Sequence, residues 1–194
     1  MMTVPLSVES LPEIGQITLI TGPARSGKSE WAEALAIAVQ KPIVYIATSQ
    51  LIPNDHDWQQ RIEQHRQRRP ATWLTQEVPY DLAQAIQSAS PNQCLLVDSL
   101  GTWLANRLEQ SKSDWQLTQT ELVQSLQSTP VQVILVAEET GWGVVPAYEV
   151  GRLFRDRLGE VTRKIGAIAD AVYLVTAGYA LNLSQLGHPV PPQS

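Results

Sequence analysis

A single cysteine, Cys94, is all the sequence offers for sulfur cross-linking, so the chain contains no disulfide framework. That cysteine sits in an apolar, strand-like run and is expected to be a small core residue rather than a nucleophile. No apolar run approaches the roughly 18 residues that a membrane span requires. Residues 1–15 lack the charged-then-apolar layout of a signal peptide, and a cytoplasmic location is expected. Positive charge is also in short supply, with 14 Lys and Arg against 19 Asp and Glu and a net charge of −5. A general nucleic-acid-binding role therefore has no support. No internal repeat occurs, and no linker divides the chain. What remains is a 194-residue chain, 43% hydrophobic and 17% charged, long enough for one α/β domain with a sizeable core.

Hydrophobic runs of strand length alternate with helical stretches. Strands are expected at 17–21, 43–47, 72–75, 94–98, 131–136 and 171–176. Several are apolar throughout, the pattern of parallel strands covered on both faces. Helices are expected at 28–40, 55–69, 80–90, 113–128 and 148–169. This βαβα order argues for a doubly wound, mostly parallel sheet with helices on both faces. The packed domain is expected to run over 16–187. Residues 1–15 form an extension, and 188–194, with Pro189, Pro191 and Pro192, a Pro-rich tail.

The strongest local signal is Gly22-Pro23-Ala24-Arg25-Ser26-Gly27-Lys28-Ser29, which satisfies every constrained position of the phosphate-loop pattern G-x-x-x-x-G-K-[S/T]. Two glycines let the backbone curl so that its N–H groups point at phosphate oxygens. The Lys28 ammonium reaches the β/γ-phosphates, and the Ser29 hydroxyl reaches Mg²⁺. A β-branched strand precedes the loop, and an Ala-rich helix follows whose N-terminus faces the phosphates. The chain is thus expected to bind ATP or GTP.

Asp98 closes the apolar run that begins at Cys94, at the C-terminal end of a central strand where phosphate-loop proteins place the acidic partner of Mg²⁺. It could instead cap the following turn. Arg61, His65, Arg66, Arg68 and Arg69 crowd one predicted helix of an otherwise acidic protein. Such a face is usually plain solvated surface, and a lone histidine is more often structural than catalytic. With phosphate chemistry expected nearby, a neutral imidazole could attack an α-phosphorus while guanidiniums stabilise the transferring group. The segment 138–146 carries two glycines and Pro146 after the fifth strand, and reads equally as a ligand crevice or a connector.

Taken together, these residues resemble one family, the bifunctional adenosylcobinamide kinase / adenosylcobinamide-phosphate guanylyltransferases of cobalamin biosynthesis. The likeness runs from about residue 17 to 183. It includes the loop followed by Ala32-Glu-Ala-Leu35, the run Tyr45-Ile-Ala-Thr-Ser-Gln50, and the signature residues Arg61, Ile62, His65, Arg69, Pro70, Trp73, Thr75 and Glu77. Later, Glu139-x-Gly-x-Gly-x-Val-Pro146 and Phe154-Arg-Asp156 match as well. The resemblance implies a RecA-like fold, a homotrimer and two reactions. ATP or GTP phosphorylates adenosylcobinamide, and GTP then gives GMP to that phosphate through a guanylylated histidine, by position His65. The family's nucleotide contacts fall on residues 22–29, on Ala47, Thr48 and Ser49, on Arg66, Gln67, Arg68 and Arg69, and on Glu77 and Asp98. The chain departs from the pattern at Glu138, where many members have Asn, at Gln64, where some have a second His, and after Asp156, where Gly-x-x-Asn-Gln reads Gly159-Glu-Val-Thr162-Arg163.

Two other readings stand beside this one. In the first, the chain is a monofunctional phosphate-loop kinase in which His65 is structural. In the second, it is a non-catalytic, nucleotide-dependent interaction module; the Asn-Lys-x-Asp element of switch GTPases is absent, which counts against it.

Overall fold

The computed structural model describes residues 16–50 and 55–191; the side chains of Trp58, Arg61, Gln64 and His65 lie outside the described part, as does the expected extension at 1–15. Strand β1 (Ile17–Gly22) leads through the phosphate loop into α1 (Lys28–Ala38). Next come β2 (Ile43–Ala47), α2 (His56–Arg68), β3 (Leu74–Glu77), α3 (Leu82–Gln87) and β4 (Cys94–Asp98). The chain continues through α4 (Leu100–Ala105), α5 (Lys112–Ser128), β5 (Gln132–Glu138) and α6 (Glu149–Gly166). It closes with β6 (Ala171–Thr176), β7 (Tyr179–Asn182) and the short α7 (Leu183–Leu186).

The strands form one sheet in the order β3-β2-β4-β5-β1-β6-β7. Every neighbouring pair is parallel except β6 and β7. The apolar runs follow from this. In β4, Leu95 and Val97 enter one core layer while Cys94 and Leu96 enter the other, because side chains alternate along a strand. The first layer is closed by α3, α4, α5 and α6 through residues such as Leu82, Leu104, Leu122 and Leu158. The second is closed by α1 through Ala32, Leu35 and Ala36, with Trp31 edge-on to Tyr173 at 5.8 Å. Cys94 is fully buried, and burial pushes its thiol up to about 12, so it stays protonated and unreactive at neutral pH. Among the described residues no helix is long and apolar enough to cross a membrane.

Several expected boundaries move. The strand expected at 72–75 forms at Leu74–Glu77, because the Trp73 N–H is taken by Pro70 O in a turn and pairing with β2 starts only at Leu74. The helix expected at 80–90 is confined to Leu82–Gln87, and the last one stops at Gly166 instead of 169. At that end the Ala167 N–H closes on Arg163 O, and the Asp170 N–H bonds Ile17 O beside the next strand. Helices α4 and α7 and strand β7 lie outside the expected elements.

Candidate functional site

Parallel strands bring their C-terminal ends to one edge, and register decides which residues meet there. Gly22 pairs with Glu138, Asp98 with Ala47, and Ala47 in turn with Glu77. Beyond β1 the chain turns through Gly27, whose φ of 94° lies in the left-handed region that glycine adopts without a Cβ penalty. Helix α1 starts at the next residue, so its unpaired N–H groups face the loop. The Lys28 ammonium reaches back across the loop to donate to Pro23 O at 3.3 Å.

In front of this edge lies a cleft of about 790 Å³. Residues 24–29 form one wall, and Tyr45, Ala47 and Ser49 at the end of β2 form another. Asp98, Ser99, Thr102 and Glu138 make the floor, while Ile62, Arg68 and Arg69 border it from α2 and its C-terminal end. Gly178, in the turn between β6 and β7, closes the remaining side. The volume lies within the range of small-molecule sites. Cations from the loop and α2 oppose carboxylates from β4 and β5, a distribution suited to a triphosphate shared with a divalent cation.

The floor is tied together by hydrogen bonds. Ser99 is the N-cap of α4, and its hydroxyl accepts from the Thr102 N–H in a capping box. Fully buried Thr48 accepts from the Ser99 N–H at 2.9 Å and donates to the Ser99 carbonyl at 2.7 Å. From the other side Glu138 accepts from the Ser99 hydroxyl and from the Gly101 N–H, the latter at 2.9 Å. Burial holds the Glu138 carboxyl above the usual carboxylate range; Asp98 pushes the same way, and the Ser99 hydroxyl opposes both. Three strand ends, β2, β4 and β5, thus lock the turn that follows Asp98.

That turn has room for Glu138 only because residue 101 is glycine. A Cβ there would lie 2.0 Å from Glu138 Oε2. Gly101→Ala is therefore expected to expel the carboxylate and cost about 1–3 kcal/mol in chemical denaturation. Combining it with Glu138→Asn, which shortens the side chain, should recover part of the loss. Strictly additive costs would show that the two positions are not coupled.

The residues singled out from sequence divide by place. Ala24, Arg25, Ser26, Gly27, Lys28, Ser29, Ala47, Ser49, Arg68, Arg69 and Asp98 all line the cleft. Gly22 and Pro23 lead into it from β1. Thr48 stands behind the wall, its hydroxyl committed to Ser99. Arg66 and Gln67 lie on exposed α2 surface, both engaged with Glu63. Glu77 ends the exposed edge strand β3. His65 lies in α2, with its side chain outside the described part. The segment 139–147 does not line the cleft, whereas Glu138 just before it does.

Sequence reasoning also passed over Tyr45. Its hydroxyl donates to Asp98 Oδ2 at 2.9 Å, and its ring lies under the Arg69 guanidinium, 3.7 Å from the ring centroid. Burial, with Asp98 as the next contribution, raises the phenol well above its ordinary range and keeps it a donor. Glu138 carried the same signal as Asp98, an acidic residue closing an apolar run. Tyr45 opens the run that resembles the family's second strand, but nothing in that run marks its side chain as a partner of Asp98.

Among the described residues no group of three or more His, Cys, Asp or Glu is arranged to hold a metal. The oxygen donors of Ser29 and Asp98 nonetheless border one cleft, and such a pair suits Mg²⁺, which is commonly held by one or two protein oxygens together with substrate phosphates.

Sheet order, loop and cleft define a phosphate-loop nucleotide-binding domain built on a mostly parallel sheet. A protein of Pyrococcus horikoshii OT3 studied as Project ID PH0250 shares this fold, with a TM-score of 0.51 at 9% identity over 89% of this chain and 88% of that one. The family described as "Cobinamide kinase / cobinamide phosphate guanyltransferase" (CobU) matches residues 18–183, and the chain belongs to it. The Bifunctional adenosylcobalamin biosynthesis protein CobP of Pseudomonas aeruginosa is 40% identical over 176 residues, which is 89% of this chain and 98% of that protein. The protein CobU of Escherichia coli K12, with the same bifunctional description, is 36% identical over 180 residues, 85% of this chain and 98% of its own length. Membership makes the chain a transferase of cobalamin biosynthesis with cobinamide kinase and cobinamide-phosphate guanylyltransferase activities.

Proposed function

We propose that a single cleft serves both transfers, with the triphosphate held on residues 22–29 and His65 as the residue that carries GMP. The observation that carries this reading is the α2 border of the cleft. Ile62, Arg68 and Arg69 line the same cleft as the phosphate loop, and helical spacing puts position 65 on the face of Ile62, one turn along.

In the kinase step the acceptor hydroxyl of adenosylcobinamide attacks the γ-phosphorus of ATP or GTP. A new P–O bond forms, the β–γ bridge breaks, the nucleoside diphosphate leaves, and the hydroxyl proton is released to solvent. Lys28 and the α1 N-terminus stabilise charge on the phosphates. Ser29 and Asp98 would hold Mg²⁺, which would supply charge neutralisation to the phosphates. In the second reaction a neutral imidazole nitrogen of His65 attacks the α-phosphorus of GTP and pyrophosphate leaves. The phosphate of the first product then displaces the histidine to give adenosylcobinamide-GDP. Two in-line displacements replace one difficult displacement between two anions.

Reaching both the γ- and the α-phosphorus requires that α2 shift relative to the loop or that nucleotide bind in two registers. The C-terminal end of α2 is held at two points. Arg68 donates to Glu30 at 2.6 Å and to both oxygens of Glu33 at 2.8 and 3.1 Å, all on α1, and Arg69 rests on the Tyr45 ring. Glu30 is 58% exposed and Glu33 only 12%, so a shift of α2 would have to break the less exposed pair as well as the exposed one. Bound GTP with its α-phosphorus already beside His65 in the resting enzyme would remove the need for movement.

Chromatography of adenosylcobinamide incubated with GTP and the protein tests the whole reading. Sequential appearance of the phosphate and then the GDP adduct is expected, and accumulation of the phosphate alone would favour the monofunctional kinase. The reading includes a homotrimer. The exposed Trp142, Val144, Val145 and Tyr148 are consistent with a subunit contact, and a monomer by light scattering would remove that part.

A further inference from the structure

Tyr45 is only 5% exposed, yet it borders the cleft, and its two polar engagements both go to residues assigned above to the chemistry. The strand register brings this about. Tyr45 pairs with Leu96, and Asp98 lies two residues further along β4, hence on the same face of the sheet. That diagonal separation suits a long aromatic side chain, whose hydroxyl meets Asp98 Oδ2 at 2.9 Å. A neutral donor on a carboxylate makes a charge-assisted bond, stronger and better aligned than a neutral pair. The ring meanwhile supports the Arg69 guanidinium at 3.7 Å, within cation–π range and partly desolvated.

We propose that Tyr45 is a positioning residue for the transfer chemistry: its hydroxyl fixes the Asp98 carboxylate for the divalent cation, and its ring fixes Arg69 for the nucleotide. Phenylalanine would pack the core equally well, so packing alone does not account for the hydroxyl. The placement also explains how α2 is connected to the sheet at this point. Arg69 directly follows α2 and rests on the β2 wall, so the residue that orients Asp98 also seats the end of the helix bearing His65. The inference rests on the proposal above that Asp98 serves Mg²⁺ and on the family resemblance, which places Arg69 among the nucleotide contacts.

The test uses the full chain with Tyr45→Phe, Tyr45→Leu and Asp98→Asn. It measures Mn²⁺ binding to the complex with a non-hydrolysable GTP analogue, the Mg²⁺ concentration for half-maximal kinase rate, and KM for GTP. Tyr45→Phe, which removes one oxygen and keeps the ring, should weaken Mn²⁺ binding and raise the Mg²⁺ requirement by about 10-fold or more. Raising Mg²⁺ should restore most of the lost rate, which a merely structural defect would not allow. Tyr45→Leu should add a rise in KM for GTP of about 5-fold or more through loss of the ring under Arg69. Thermal melts report folding separately, and should Tyr45→Leu fail to fold, Tyr45→Phe decides the hydroxyl role alone. Wild-type cation binding in Tyr45→Phe together with cation loss in Asp98→Asn would overturn the inference and leave the underlying reading intact. Wild-type cation dependence in Asp98→Asn would overturn the underlying reading itself.

Discussion

His65→Ala is expected to abolish GMP transfer, by at least about 10⁴-fold, while phosphorylation of the acceptor stays within a few-fold of wild type. The asymmetry follows from the division of labour. A nucleophile that forms the intermediate has no substitute once removed, whereas γ-phosphoryl transfer uses the loop, Lys28 and the Asp98 floor, none of which depends on an imidazole. Separate assays of phosphate formation and of GDP-adduct formation from pre-made phosphate make the comparison. Loss of both activities together would recast His65 as a structural residue of α2. Retention of GMP transfer would mean that the cobinamide phosphate attacks GTP directly.

Lys28→Ala should lower both reactions, each by roughly 10²–10³-fold, because each needs the triphosphate held and its charge neutralised. Lys28 starts α1, and its ammonium spans the loop to Pro23 O, so it joins the two backbone segments that cradle the phosphates. Arginine is a poor replacement here, since its planar fork replaces a compact point charge. The pair of variants is therefore diagnostic. A Lys28→Ala protein that lost only the kinase step would require a second nucleotide site for GMP transfer.

Much of this architecture was legible in the sequence for identifiable reasons. β2 and β4 lie where continuous apolar runs put them, because they are buried on both faces over most of their length, whereas β6 alternates buried and half-buried positions and is legible from its β-branched and aromatic residues. The phosphate loop was legible because few sequences can make that turn. The place of Asp98 at the cleft was legible because it closes an apolar strand at the C-terminal edge of the sheet. β7 was not, since its exposed Tyr179 and Leu181 form an edge strand that depends on pairing with β6. Nor was α4, only six residues long, although Ser99 and Thr102 carry the spacing of a capping box.

The site was half legible. Residues that act by sequence-local geometry, the loop above all, could be named in advance. Residues that act across the sheet could not, because register is a tertiary property. Tyr45 reaches Asp98 and Thr48 reaches Ser99 only because β2 lies beside β4, and Glu138 reaches Gly101 only because β5 flanks the other side. Thr48 illustrates the point from the opposite direction. The resemblance places it among the nucleotide contacts, and its hydroxyl is engaged behind the wall, where it shapes the floor beneath the cleft.

The central claim is that the triphosphate held by the loop is delivered to His65. Incubation with GTP labelled at the α-phosphorus, followed by peptide mapping of the protein, tests it most directly. The account predicts an acid-labile, base-stable label confined to the peptide that contains His65, absent when the label is on the γ-phosphorus and discharged by cobinamide phosphate. Label on any other peptide, or a labelled protein that does not pass its GMP to the acceptor, would contradict it.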